Sequence, residues 1–384
     1  MSESFKYVID AAVAAALFVA LSLVFAVDLF LSRASGPGEN TLKGVTVSEE
    51  KGKKGDRLRL AVTPTARFTN TKSKQDEPWD DMGKLLKGLG DGYKFHEITE
   101  KQILAKQKKL SDYDVLFLTC AGGGEQLKDE LREFVANGGV LYASDWRYDA
   151  VAMAFPEMVE DKLRDSGAKQ DFNAQVVDPA LRDVIGDSIH LKFDMPEWKT
   201  AAFGGPRVKT LIKGRYEIDR KKGEFAVAPL MVKFTFNKGT VIFTSFHNEK
   251  QNSLDLERLL QYLVFTLVMA GVDADINAKM DQGGFTPQRS NLLSSPKKNQ
   301  ATKPKEYQNA KECTLRFALG FRGDDAKLRF NIKSPDGKQY THDAAGTVVL
   351  EVAYAAAGTW TYTVTSLELP HENFAFTVTV GEKK

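Results

Sequence analysis

Cysteine is nearly absent: Cys120 and Cys313 are the only two in 384 residues. They fall in segments of different character, so no stabilising disulfide is expected, and no paired-cysteine or Cys/His spacing suggests zinc. Excess charge of one sign is also lacking. Lys and Arg number 53 against 51 Asp and Glu, interleaved along most of the chain. That balance argues against a nucleic-acid binder whose affinity rests on a basic face. Long hydrophobic runs are missing apart from one at the amino end, which excludes a multi-span channel. No internal repeat is visible, and the apolar and charged fractions, 42% and 27%, are those of a globular protein. What is present is length, enough for two folded units with linkers.

The one long apolar stretch lies between Tyr7 and Leu31 (YVIDAAVAAALFVALSLVFAVDLFL) and runs unbroken from Ala11 to Val27. As a helix it would rise about 37 Å, enough to cross a hydrocarbon core of about 30 Å with some tilt. Asp10 and Asp28 would then sit near its opposite ends, where headgroups and water reach them. A cleaved signal peptide is the rival reading, but the leader MSESFK is barely basic and SRASG is a weak cleavage context. Residues 1–31 are therefore expected to be a single-pass membrane anchor. Arg33, Lys43, Lys51, Lys53, Lys54 and Arg57 outnumber the bases upstream, which favours a cytoplasmic soluble portion over an extracytoplasmic one.

Two polar stretches, 32–56 and 279–308, carry Gly, Ser, Pro, Asn and Lys without apolar periodicity, and both read as flexible or disordered linkers. They bracket a central unit at 57–278 and a small one at 309–384. In the central unit LRLAVTP, YKFHEIT, DYDVLFLTC and VLYASDW read as strands. Helical spacing lies between them in EPWDDMGKLLKGLG, KQILAKQKKL and EQLKDELREFVANGG. Repeated strand–helix–strand units predict a parallel sheet with helices on both faces. FTFNKGTVIFTSF reads as a hairpin, and LDLERLLQYLVFTLVMAG as a packed core helix. From residue 309 the period changes to short β-branched and aromatic segments between Gly, Pro and Asp turns, which predicts an antiparallel β-sandwich.

Two segments carry a family resemblance. DYDVLFLTCAGGGEQLKDELREFVANGGVLYASD sets a buried strand, a Gly-rich loop, a helix and a second strand in order. Phe246-His247-Asn248-Glu249 resembles the Phe-His-Pro-Glu segment that supplies His and Glu to amidotransferase triads. Over roughly 57–271 the chain thus resembles the class I glutamine amidotransferase-like superfamily, especially its ThuA-like branch. The resemblance implies a flavodoxin-like α/β fold and a nucleophile on a sharp turn after VLYAS. Ser144-Asp145-Trp146 stands there instead of cysteine, without the small residues that ease such an elbow. The C-terminal AAAGTWTYTVTS is similar to bacterial pre-peptidase-type sandwich modules, which bind or pack and are common in exported proteins; Trp360 is expected in the core.

Three candidate sites follow. Ser144, His247 and Glu249 form a conceivable hydrolytic triad of nucleophile, base and orienting acid. Cys120, at the carboxyl end of a strand and facing Gly122 and Gly123, has a place where a thiol pKa can fall. Asp145, Trp146 and Arg147 offer acceptors, stacking and charge at strand carboxyl ends, where open α/β sheets bind ligands. The departure at the elbow favours a membrane-tethered binding or scaffold protein over an amide or ester hydrolase. A protein partner or small-molecule ligand is expected, with no cofactor and no metal.

Overall fold

A computed structural model describes residues 45–52, 58–70, 74–160, 165–166, 169–195, 197–199, 202–219, 221–248, 254–295 and 297–383. The expected membrane segment and the first part of the linker after it lie outside these residues. Among the described residues no helix is long and apolar enough to cross a membrane.

A nine-stranded sheet organises the central region. Its strands are β1 Leu60–Val62, β2 Phe95–Glu97, β3 Val115–Leu118, β4 Val140–Ser144, β5 Gln170–Val176, β6 Ser188–Phe193, β7 Val208–Asp219, β8 Glu224–Phe236 and β9 Gly239–Thr244. They lie in the order β6-β5-β7-β8-β9-β4-β3-β1-β2. The five strands β2-β1-β3-β4-β9 are mutually parallel. The other four join antiparallel, and β8 turns into β9 at Asn237-Lys238, with Asn237 in the left-handed region at φ 48°. The expected parallel sheet is thus mixed: tight turns such as Asn237-Lys238 return the chain antiparallel where a parallel pairing needs a long crossover.

Helices cover both faces, as the alternation along the strands requires. Leu60, Val115, Phe117, Tyr142 and Ile242 point to one face. There they meet α1 (Met82–Leu89), α5 (Pro179–Ile185) and α6 (Leu254–Gln282). Ala61, Leu116, Leu118, Leu141 and Phe243 point to the other, against α2 (Glu100–Leu104), α3 (Lys128–Ala136) and α4 (Tyr148–Ala154). Local signals set the helix ends. Thr99 and Gln102 close a reciprocal capping box on α2, and Asp81 and Asp178 cap α1 and α5.

The remaining chain builds two antiparallel sheets that face each other. One holds Val45–Lys51, Gly346–Ala355, Cys313–Gly320, Phe374–Lys383 and Phe285–Ser295 in that order; the other holds Lys305–Asn309, Gly358–Glu368, Lys327–Lys333 and Gln339–Ala344. Phe317 of the first sheet meets Trp360 and Tyr362 of the second, with ring centroids 5.7 and 6.2 Å apart. Trp360 is core, as expected, and both cysteines are free.

Both expected linkers need correction. Val45–Lys51 is an edge strand, and the stretch from 279 to 308 holds the end of α6, an eleven-residue strand and most of another. Their composition is polar because Phe285–Ser295 is itself an edge strand with few inward positions (Phe285, Asn291, Ser295). Its pairing with Phe374–Lys383 supplies the order that its own propensity lacks. Pro287 is tolerated because the register shifts there, between Pro287 and Arg289.

The α/β layer and the paired sheets are joined through α6. Ion pairs such as Arg322–Asp114 (3.3 Å) and Arg289–Asp183 (2.6 Å) add to that junction. At Asp114 burial alone would raise the carboxyl. The Arg59 hydrogen bonds and the Arg322 charge outweigh it and hold the carboxyl below its usual range. A depressed carboxyl stabilises the fold above its unfolded pKa, about 3.9, and that contribution disappears as pH falls through the folded value. Asp114→Asn is therefore expected to lower stability at neutral pH by about 1–3 kcal/mol. The gap from the parent should close in acid, as read from urea midpoints across a pH series.

Candidate functional site

The carboxyl ends of β3, β4 and β9 bring three side chains together. Cys120 follows β3, Asp145 follows β4 and His247 follows β9, and one ligand-type atom from each lies within 4.8 Å of the other two. All three are fully buried. His247 Nε2 is 3.4 Å from Asp145 Oδ2, and Nδ1 is 3.1 Å from Asp194 Oδ1. The Cys120 thiol is directed at Asp145 Oδ2, 3.7 Å away. Trp198 lies against the imidazole with centroids 4.8 Å apart and stacks on Phe193, sealing that side.

Asp145 sits at a sharp strand-to-helix turn with φ 45°, a left-handed backbone that Asp tolerates better than most residues. Its Oδ1 accepts the Lys199 backbone N–H at 2.8 Å. The chain therefore turns sharply at Asp145, one residue beyond the Ser144 of the expected triad. Gly124, in the loop after β3, packs closely on the start of α4: a Cβ there would lie 3.3 Å from that of Ala150.

Electrostatics follow from burial. For His247 burial alone would lower the pKa, but hydrogen bonds to Asp145 and Asp194 outweigh it and hold the imidazole well above its ordinary value. Burial pushes the Cys120 thiol up to about 11, despite the neighbouring His247. The lowered thiol pKa expected at this strand end is thus not realised, because desolvation exceeds what the imidazole and the Trp146 backbone N–H return.

Of the expected triad, Ser144 and His247 each engage other partners. Ser144 is buried, and its hydroxyl donates to Asp80 Oδ2 at 2.8 Å. Asp80 stands just before α1, and its neighbour Asp81 caps that helix. Glu249 lies outside the described residues. Among the described residues, the carboxylates beside His247 are Asp145 and Asp194. Asp194 carries no signal in the sequence; it follows β6 on the antiparallel extension, 53 residues from His247, and only the sheet order reveals the contact.

Arg147 also departs from its expected role. Its guanidinium is 1% exposed. It donates to Thr119 O at 2.8 Å and Gly123 O at 3.1 Å, and pairs with Glu100 at 2.6 Å. A charge so enclosed braces the Gly-rich loop and is not presented to a ligand. Of the expected binding residues, Gly122 and Gly123 are exposed and Trp146 is half-buried under Lys199, whose Nζ is 4.6 Å from the ring centroid. A cleft of about 680 Å³ opens at the amino ends of β3 and β4, lined by Arg59, Lys106, Glu130, Asp275 and Arg322 among others. None of the buried cluster lines it.

Fold and site together define a mixed α/β protein with a sealed thiol–imidazole–carboxylate cluster at the carboxyl ends of its parallel strands. No family model matches the chain, and no curated protein matches it. Solved structures similar to it include a cytoplasmic protein from Salmonella typhimurium LT2, at 13% identity over 56% of this chain and 99% of that one (TM-score 0.38). A glutamine amidotransferase from Thermotoga maritima is similar at 10% identity over 59% and 94% (TM-score 0.32). A ThuA-like protein from Parabacteroides merdae ATCC 43184 is similar at 14% identity over 57% and 90% (TM-score 0.33).

Proposed function

We propose that this chain is a membrane-tethered, non-catalytic binding protein in which a degenerate amidotransferase-like domain engages a protein partner or small ligand. The observation that carries the reading is the residue at the elbow apex. Where an amidotransferase would present a nucleophilic thiol, a buried carboxylate is paired with the histidine that would have served as base. The hydroxyl beside it is committed to Asp80. The parallel strand order β2-β1-β3-β4-β9 matches a flavodoxin-like doubly wound sheet, consistent with that ancestry. The apolar segment 7–31 supports the tether, and the bases after it favour a cytoplasmic face.

The second reading, an amide or ester hydrolase, rests on one specific contact. A ring nitrogen of His247 lies within 4.8 Å of the Cys120 sulfur, so a candidate base stands near a candidate nucleophile. Against it stand the full burial of both groups and the raised thiol pKa.

Activity probes separate the two. The native full-length chain, treated with a fluorophosphonate and with iodoacetamide, is expected to show no label at Ser144 or Cys120. Cys313, which is partly exposed, should take the alkylating probe. Labelling of either buried residue in the folded protein, lost on Ser144→Ala or Cys120→Ala, would establish the hydrolase.

A further inference from the structure

We infer that Cys120, Asp145 and His247 form a binding site for a divalent, borderline-soft transition-metal ion such as Zn²⁺, with Asp194 as the outer carboxylate that orients the imidazole. Three donor types that zinc accepts, thiolate sulfur, imidazole nitrogen and carboxylate oxygen, converge from three strand ends in a buried position. Two of the three edges have the spacing of a coordination shell. With zinc's usual bond lengths and tetrahedral angles, a nitrogen and an oxygen ligand stand about 3.3 Å apart, and a sulfur and an oxygen about 3.5 Å. Here His247 Nε2 and Asp145 Oδ2 are 3.4 Å apart, and Cys120 Sγ and Asp145 Oδ2 are 3.7 Å apart. The third edge, sulfur to imidazole, is bounded at 4.8 Å.

The surroundings fit as well. Metal-bound imidazoles commonly donate their second ring nitrogen to a carboxylate, which fixes the ring and its tautomer; Asp194, 3.1 Å from Nδ1, is placed for that. The three ligands, one thiolate, one carboxylate and one neutral imidazole, carry −2 between them, which a divalent ion offsets. On binding, the thiol proton and the Nε2 proton leave to solvent, and no electron is transferred. Coordination there depends on neither the tether nor the absence of turnover.

Cobalt tests it directly. The full-length chain, expressed and purified in medium supplied with Co²⁺, is expected to carry one metal ion per chain by elemental analysis. Its spectrum should show a sulfur-to-cobalt charge-transfer band in the near ultraviolet and, with one water completing the shell, visible d–d bands of a tetrahedral ion. Cys120→Ser should abolish the charge-transfer band while circular dichroism stays native. Asp194→Asn should keep the band but weaken affinity about 10–100-fold in competition with a chelator. Absence of the band from the parent overturns the site. So does a band that survives Cys120→Ser, which would move the sulfur ligand to Cys313 in the paired sheets. If Cys120→Ser does not fold, Asp194→Asn decides: unchanged chelator competition then counts against the site.

Discussion

Replacing Arg147 by alanine is expected to destabilise the fold by about 3–5 kcal/mol, the range for stranding the partners of a buried charge. The guanidinium is 1% exposed and holds the carbonyls of Thr119 and Gly123 together with the Glu100 carboxylate. Without it, two inward carbonyls and an acid lose their donor at once. Lysine should rescue little, because one ammonium cannot reproduce a planar fork reaching three acceptors. Gly124 belongs to the same brace: its φ is 101°, and a Cβ there would lie 2.8 Å from Arg147 Nη1. Urea midpoints at constant m-value measure the effect. A loss below about 1 kcal/mol would mean that water replaces the guanidinium, and would return Arg147 to the pool of ligand-binding residues.

Asp145→Ala should cost a comparable amount, for reasons that its neighbours in a substitution series can separate. Alanine removes the acceptor of the Lys199 N–H and the partner of His247, and places a residue with no local hydrogen bond at φ 45°. Glycine relieves only the backbone strain, by about 1 kcal/mol. Asparagine keeps an acceptor and tolerates the left-handed turn, but gives up the charge opposite His247. The expected order of stability is parent, then Asn, then Gly, then Ala. Gly matching the parent would show that Asp145 is there for the bend alone, and that its contact with His247 contributes nothing to folding.

Much of the α/β region was legible because its strands are short, continuous apolar runs such as VLFL and VLYA, which only a doubly covered sheet can bury. The paired sheets were equally legible from alternation, as in GTWTYTVTS. What escaped was set by long-range pairing. Phe285–Ser295 has the composition of a linker, and its order comes from a partner strand about ninety residues later. The site divided along the same line. Cys120, Asp145 and His247 each stood at a recognisable strand end, so their convergence followed from topology. Which residue took the turn hinged on where β4 stops: the strand read through VLYASDW ends at Ser144, two residues early, the scale at which strand ends are least certain from sequence. Asp80 was equally opaque: two adjacent acids precede α1, and only packing decides that Asp81 caps while Asp80 turns inward to Ser144.

Helix α6, at 29 residues, extends about 43 Å. Its first half lies in the core of the nine-stranded sheet through Leu259, Leu263 and Leu267, and its last turns lie against the paired sheets through Ile276 and Met280. A single rod thus has its two ends embedded in different hydrophobic interiors. Cutting the gene after residue 278 would sever that rod inside its second interior and leave Ile276 bare on one fragment and Phe285 on the other. Heat should accordingly melt both halves in one cooperative step, with the calorimetric and van't Hoff enthalpies in agreement.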